Sequence, residues 1–313
     1  MPELPDITVY TDALRARVLG AALLGIRVFG PSWLRTVEPK LVEAEGCRVR
    51  EVRRLGKRIV IELDGDLFVV LHLMVVGRLR WRAIRQQPES PSRATRRPKN
   101  ELGALDFSTG TLVVTEAGPR KRAALHLVRG EAALAEQDPG GLEPLDAPRD
   151  AFAARLRAGN HTLKRALTDP HVLSGIGNAY SDEILHEARL SPFKQTQKLA
   201  EEEMDRLYAA TQHTLLLWTN RLRTETGDAF PDRVTAFRPE MAVHGRYREP
   251  CPRCGAPVQR IAYAQNEANY CAPCQTEGKL LADRALSRLL HGDWPRTLEE
   301  LEQRRPRSIR RSR

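Results

Sequence analysis

Two C-x-x-C pairs, Cys251-Pro252-Arg253-Cys254 and Cys271-Ala272-Pro273-Cys274, stand sixteen residues apart late in the chain. No other feature limits the folding of its stretch so tightly. Each pair makes a tight knuckle that brings two sulfurs to one point, and four thiolates at that point match tetrahedral zinc. The spacing predicts a ribbon, with Val258–Tyr263 and Asn269–Tyr270 as hairpin strands and Gln265-Asn266-Glu267 as a projecting tip. Four sulfurs leave no open coordination position, so the one zinc ion is structural. Two unrelated redox pairs are the competing pattern, and the spacing fits them poorly. The fifth cysteine, Cys47, reads as a half-buried thiol. An odd count speaks against a disulfide framework.

The rest of the 313 residues is long enough for two or three domains. A hydrophobic fraction of 41% describes a chain able to bury a core, which excludes disorder for most of its length. No run approaches the roughly 18 apolar residues of a membrane helix. The opening residues carry acids and no apolar stretch, which predicts a cytoplasmic protein that is not secreted. The formal net charge is +10, and its distribution is uneven. Six arginines and no acid fall in Arg304–Arg313, leaving +4 on residues 1–303. Arg78–Lys99 holds eight Lys and Arg against one acid. Cations gathered in stretches are the footprint of a nucleic-acid partner, although solvated loops produce the same pattern.

Secondary-structure signals change along the chain. A helix is predicted from Ile7 to Leu19, with Asp6 as an ordinary N-cap. Ile59–Leu63 and Leu67–Leu73 flank Asp64-Gly65-Asp66, and Ala104–Phe107 and Thr111–Thr115 flank Ser108-Thr109-Gly110. Both read as hairpins. A Pro/Gly-rich linker at 138–148 follows, and then helical periodicity through Phe152, Leu156, Leu163 and Leu167, and from Met204 to Leu222. The fold class is therefore α+β and multidomain. Its parts are an antiparallel β-sandwich over 2–135, a helical domain over 145–243, the four-cysteine finger over 244–278, and a basic extension over 279–313 that includes short helices near Leu280–Leu290 and Leu298–Leu301.

Two further patterns carry chemistry. Gly175-Ile176-Gly177-Asn178 opens a helix. Backbone N–H groups at a helix start attract phosphate, and glycines allow close approach. The plainer reading is a tight interhelical turn capped by Asn178. At the other end, Met1 precedes Pro2, and removal of Met1 exposes a secondary amine. An α-amino group titrates near 8, so part of it is a free nucleophile at neutral pH and can form a Schiff base with an aldehyde-like carbon. Glu3 and Asp6 are near enough to move protons around it. Taken alone, this stretch is also an ordinary helix start.

Together these pieces resemble the formamidopyrimidine-DNA glycosylase / endonuclease VIII family. The resemblance rests on Pro2-Glu3-Leu4-Pro5, Gly56-Lys57-Arg58, the run from Gly175 to Leu185, and His244-Gly245-Arg246 leading into the cysteine ribbon. It covers all but the last thirty-odd residues. It implies a β-sandwich, a helix–two-turn–helix (H2TH) domain and a zinc finger that act on damaged or abasic DNA, single- or double-stranded. It implies a bifunctional glycosylase and AP lyase of base-excision repair, working as a monomer without a membrane. In that reading Pro2 attacks C1′ and Glu3 handles protons, with Asp6 beside it. Lys57 contacts the phosphate next to the lesion. Asn178, with the turn at Gly175 and Gly177, holds another phosphate, assisted by Lys164. Arg120 and Lys121 belong to a loop near the duplex, and Met74 is the candidate wedge.

The chain departs from the family's usual pattern at several of these points. Asn266 stands where the finger usually presents an Arg. Asp6 stands for a Glu, and Pro119-Arg120-Lys121-Arg122-Ala123 lacks the usual aromatic. An amide cannot make the charge-assisted contact of a guanidinium. Two other functions are therefore kept in view: a damaged-DNA-binding relative with little catalysis, and a zinc-ribbon protein that binds RNA or the ribosome.

Overall fold

The computed structural model describes residues 1–84, 100–118, 120–231, 234–235, 237–263, 266–282 and 295–303. Most of the basic stretch after Arg78, together with Pro119, Gln265, most of the helix expected over 280–290 and the Arg304–Arg313 tail, lies outside the described residues. The chain forms two compact units. One joins Met1–Gly141 to Leu215–Ala236, and the other joins Leu142–Thr214 to Phe237–Arg313.

The first unit opens on α1 (Leu4–Val18), which starts earlier than the predicted Ile7. Glu3 is its N-cap. Asp6, expected as the cap, is instead the third helical residue, and its Oδ2 accepts the Glu3 N–H at 3.0 Å. That is the returning half of a capping box, with Pro5 inside the first turn where its missing N–H costs nothing. Ile7, Tyr10, Leu14 and Val18 form the buried stripe of this helix.

Eight strands follow: β1 (Leu23–Val28), β2 (Val49–Leu55), β3 (Arg58–Leu63), β4 (Leu67–His72), β5 (Gly77–Ala83), β6 (Glu101–Phe107), β7 (Gly110–Glu116) and β8 (Ala124–Arg129). They make two antiparallel sheets, ordered β1-β6-β7-β5 and β2-β3-β4-β8. Alternate residues of both, among them Ile59, Ile61, Val69, Leu105, Leu112 and Val114, share one core with the stripe of α1. The two predicted hairpins are present, closed by the pairs Leu63↔Leu67 and Phe107↔Gly110. A third hairpin joins them without a prior signal. Leu55 pairs with Arg58, so Gly56-Lys57 is itself a two-residue turn. Gly56 has φ +59, as the first position of a II′ turn requires. A short helix, α2 (Glu131–Ala135), places Leu134 against Val60, Phe68, Val70 and Val128 on the outer face of the second sheet.

The second unit contains α3 (Arg149–Arg157), α4 (Leu163–Thr168), α5 (Asn178–Glu187) and the first half of α6 (Glu201–Thr226). The helical periodicity over 152–167 resolves into two helices, with Thr162 capping the second. Residues 215–236 group with the first unit and not with the helical segment expected over 145–243. Val234 lies in the sandwich core, and Phe230 packs on Tyr10 and Trp81. The chain ends in β9 (Gln259–Tyr263), β10 (Asn266–Tyr270), α7 (Ala272–Thr276) and α8 (Leu298–Gln303). The finger hairpin is longer than predicted. Asn266 pairs with Tyr263 and Glu267 with Ala262, so both belong to β10 and not to a tip. Among the described residues no helix is long and apolar enough to cross a membrane.

Candidate functional site

Each unit carries its own set of the predicted residues. In the first, the start of α1 buries Pro2, Glu3 and Asp6. The amine of Met1, one residue further out, is held below its usual value of 8. Burial is the main cause. Arg78 and Lys57 push the same way, while Glu3 and Asp6 oppose. The pocket around the N-terminus therefore holds two carboxylates and two cations, and it favours an unprotonated amine. The Lys57 ammonium, in the β2–β3 turn, is likewise lowered by burial, and Glu3 partly restores it.

Two members of this pocket are marked by no motif. Arg78, at the start of β5, donates from Nη1 to its neighbour's carbonyl, Gly77 O, at 2.7 Å. His72 ends β4, paired with Arg58 on one side and Ala124 on the other. Burial, with the charges of Arg58, Lys57 and His126, lowers His72 to about 4, so it is a neutral imidazole at pH 7. Both are visible in the sequence only as residue types: His72 reaches Lys57 through the pairing of β4 with β3, whereas Arg78 lies in the other sheet.

The loop residues are placed as follows. Met74 adopts left-handed backbone at φ +52 in the β4–β5 turn and is half-buried, while Val75 beside it is 50% exposed. Val75 is thus the outermost apolar side chain of that turn. Arg120 is exposed. Lys121 is half-buried, and its ammonium donates to the carbonyl of Glu116. The buried Glu116 carboxylate in turn accepts the N–H groups of Arg122 and Ala123 at 2.9 and 3.1 Å. That strap fixes the loop and turns Lys121 inward.

In the second unit Gly175 takes φ +79, the conformation that reverses the chain before α5. Gly177 is the N-cap and is extended, so Asn178 is the first helical residue and not the cap. Lys164 corrects the sequence reading. It is 1% exposed and faces inward, its Nζ 2.7 Å from the Asn178 carbonyl and 2.6 Å from Asp182 Oδ1. It braces the turn from behind and has no surface to offer a phosphate. Asp182 extends this network, with Oδ2 2.8 Å from His244 Nδ1 and 3.0 Å from Asn269 Nδ2. Beside it, Glu183 accepts the backbone N–H groups of Ala242, Val243 and His244 at 2.7 to 2.9 Å. Burial nevertheless raises its carboxyl pKa. Two adjacent acids of α5 thus anchor the finger to the helix that carries the turn.

The four cysteine sulfurs lie within 4.8 Å of one another. Tetrahedral zinc with Zn–S bonds of about 2.3 Å needs sulfurs about 3.8 Å apart. The Cys254–Cys271 and Cys251–Cys274 separations are 3.3 and 4.0 Å. Around them, His186 Nε2 is 3.2 Å from the Cys251 sulfur, and Gln275 bridges the Cys271 N–H and the Leu190 carbonyl. Such outer contacts orient metal ligands. The set fits one structural zinc ion.

These parts define a multidomain DNA-glycosylase architecture, and comparison with known proteins agrees. The sequence matches the formamidopyrimidine-DNA glycosylase N-terminal domain over residues 1–125, the H2TH domain of the same enzymes over 141–221, and the zinc finger found in FPG and IleRS over 248–276. The formamidopyrimidine-DNA glycosylase of Thermus thermophilus is 34% identical over 291 residues, covering 89% of this chain and all of that protein. A glycosylase-like protein of Mycobacterium tuberculosis is 39% identical over 150 residues, covering 48% of this chain and 93% of that protein. Among solved structures, Lactococcus lactis Fpg in complex with DNA containing an abasic site superposes with a TM-score of 0.75 at 26% identity, over 88% of this chain and 99% of that one. The Thermus thermophilus Fpg structure gives 0.71 at 31% identity, over 88% of this chain and 98% of that one. The chain belongs to the formamidopyrimidine-DNA glycosylase family, whose members are bifunctional DNA glycosylases and AP lyases.

Proposed function

We propose that the protein excises a damaged base from DNA and nicks the strand at the resulting or a pre-existing abasic site. The observation that carries this reading is the buried N-terminal pocket, where Glu3, Asp6, Lys57 and Arg78 all act on the terminal amine. Removal of Met1 leaves the secondary amine of Pro2 in that setting. Its lone pair attacks C1′ of the nucleotide, and the C1′–N bond breaks as the base leaves with the bonding electrons and takes up a proton. The nitrogen gives up its proton and its lone pair expels O4′, which takes up a proton as the C1′–O4′ bond breaks, so the sugar ring opens to an iminium at C1′. Loss of a proton from C2′ and departure of the 3′ phosphate complete the elimination. Glu3, at the helix start, is the group that moves protons at the sugar. Lys57 holds the phosphate beside the lesion.

A base inside the stack cannot be reached, so the nucleotide must be extruded, and extrusion needs grips on the backbone on both sides. The turn Gly175–Asn178 supplies one. The helix dipole at the start of α5 favours an anion there, and Asn178 adds a side-chain amide. Lactococcus lactis Fpg has been crystallised with DNA containing an abasic site and with DNA containing an oxidised pyrimidine, and this supports both substrate classes here.

Borohydride reduction during reaction with abasic DNA tests the proposal. A covalent protein–DNA adduct is expected, and acetylation of the N-terminal amine should abolish it. A chain that binds abasic DNA tightly yet yields neither adduct nor nick is a damaged-DNA-binding relative, and the catalytic assignment then falls.

A further inference from the structure

The finger contains four arginines between His244 and Gly278. Two of them are paired: Arg246 with Glu249 at 2.8 Å, and Arg253 with Glu187 at 2.8 Å. The other two, Arg248 and Arg260, make no ion pair among the described residues, and both are exposed. Both are drawn to one ring. The guanidinium carbon of Arg248 is 5.0 Å from the centroid of Tyr247, and that of Arg260 is 4.8 Å away. Two like charges thus lie within about 10 Å of each other on one aromatic platform.

The backbone under them is fixed. The Arg248 N–H donates to the Val258 carbonyl at 2.9 Å, and the Val258 N–H donates to the Glu249 carbonyl at 2.9 Å. Residues 248–249 thereby join the start of β9, the strand that carries Arg260. Arg248 itself adopts φ +73, left-handed backbone that an arginine enters at a cost and a glycine would enter freely. A strained residue at an exposed site, with its charge left unpaired by the fold, indicates a role outside the fold.

The geometry points to a phosphate-binding platform on the flank of the finger, in which Arg248 and Arg260, aligned by Tyr247, grip the DNA backbone. This inference rests on the DNA-directed reading above and adds a contact to it. The platform places cations on the side of a hairpin whose β10 position 266 is the uncharged Asn. Two guanidinium groups on one ring repel each other, and an anionic phosphate whose oxygens accept from both relieves that repulsion. The contact reads charge and not base identity, so it adds the same affinity to damaged and undamaged DNA.

The test is the dependence of the dissociation constant on salt, measured with abasic and undamaged duplexes of one sequence. Each phosphate contact contributes about 0.9 to the slope of log affinity against log salt. Arg248→Gly with Arg260→Gln should flatten the slope by about 2 on both duplexes. The doubly substituted Lys variant, Arg248→Lys with Arg260→Lys, should keep the parent slope. If the arginines only stack on Tyr247 to hold the loop, the Lys variant would behave like the Gly/Gln variant, or neither slope would move, and either result overturns the platform. Zinc content monitors folding. Should the double variant lose zinc, Arg260→Gln alone carries the test, with an expected flattening of about 1. A parent protein that forms no borohydride adduct but shows these slopes overturns the glycosylase reading and leaves the platform standing. Adduct formation with unaltered slopes does the reverse.

Discussion

A neutral histidine in a basic pocket ties the stability of the first unit to pH. His72 titrates near 4 when folded and near 6.5 when the chain is open. Between those values the unfolded chain binds a proton that the folded chain refuses. Stability is therefore complete above about 6.5, falls as pH drops towards 4, and is flat below that. The effect is worth about 3 kcal/mol, and His126, lowered by burial and by the charges of Arg58 and Arg35, adds to it in the same direction. His72→Gln keeps a polar side chain without the titration. Thermal melts at pH 7 and pH 5 should show a large loss of Tm in the parent and a loss smaller by several degrees in the variant. Equal losses would sink this account. His72 and Arg78 also mark the limit of what residue types reveal. Lys57 is legible only through the resemblance of Gly56-Lys57-Arg58 to the family's motif, since nothing local marks the turn that holds it. His72, fifteen positions further on, is brought to it by the pairing of β3 with β4, and Arg78, twenty-one positions on, lies in the other sheet and shares only the terminal amine with it. Lys164 fails in the opposite sense. A lysine on a short helix reads as surface, and nothing local to it says that Asp182 on α5 waits to neutralise it.

The zinc ribbon is the element most plainly written in the chain, because four ligands at fixed spacing admit few geometries. Its hairpin nevertheless runs three residues past the predicted strand start at Asn269. The alternation of side chains does not say where two strands stop pairing, and backbone bonding carries β10 up to Asn266. The start of α1 escapes local reading for a similar reason. Asp6 is a good cap, but Pro5 before it already sits in the helix, and Glu3 takes the cap. The finger's own stability follows from its ligands. Its two apolar clusters are small, and of the four buried members of the first, Cys251 and Cys271 are themselves metal ligands. Cys254→Ser should therefore release zinc and unfold β9 and β10, because ligand binding supplies much of the folding free energy of so small a module. Amide exchange is the direct measure. Protection over 258–276 should vanish while β3 and β4, in the other unit, stay protected. Retained zinc, or retained protection over the finger, would contradict the assignment.

At the level of the whole molecule, the family's three domains match residues 1–125, 141–221 and 248–276, so the chain beyond Thr276 lies outside all three. Six arginines of the net +10 fall in its last ten residues. The remaining +4 includes cations with defined surroundings: Lys57 and Arg78 at the N-terminal amine, Lys164 inside an ion pair, Arg248 and Arg260 on one ring. If the tail and the proposed platform both meet the DNA backbone, their contributions to binding should be separable. Cations that neutralise phosphates without reading bases raise affinity by the same factor on every duplex, and they make it fall with salt. Deleting residues 304–313 should flatten the salt slope by up to about 5 and weaken binding to abasic and undamaged DNA equally. The ratio of the two affinities should stay that of the parent, because that ratio is set where the nucleotide is extruded and held. Titrations of both duplexes at several salt concentrations decide the matter. A deletion that leaves the slope unchanged means that the tail does not touch the backbone. A deletion that lowers the abasic preference means that the arginines act at the lesion itself, and anchoring charge and site charge are then one and the same.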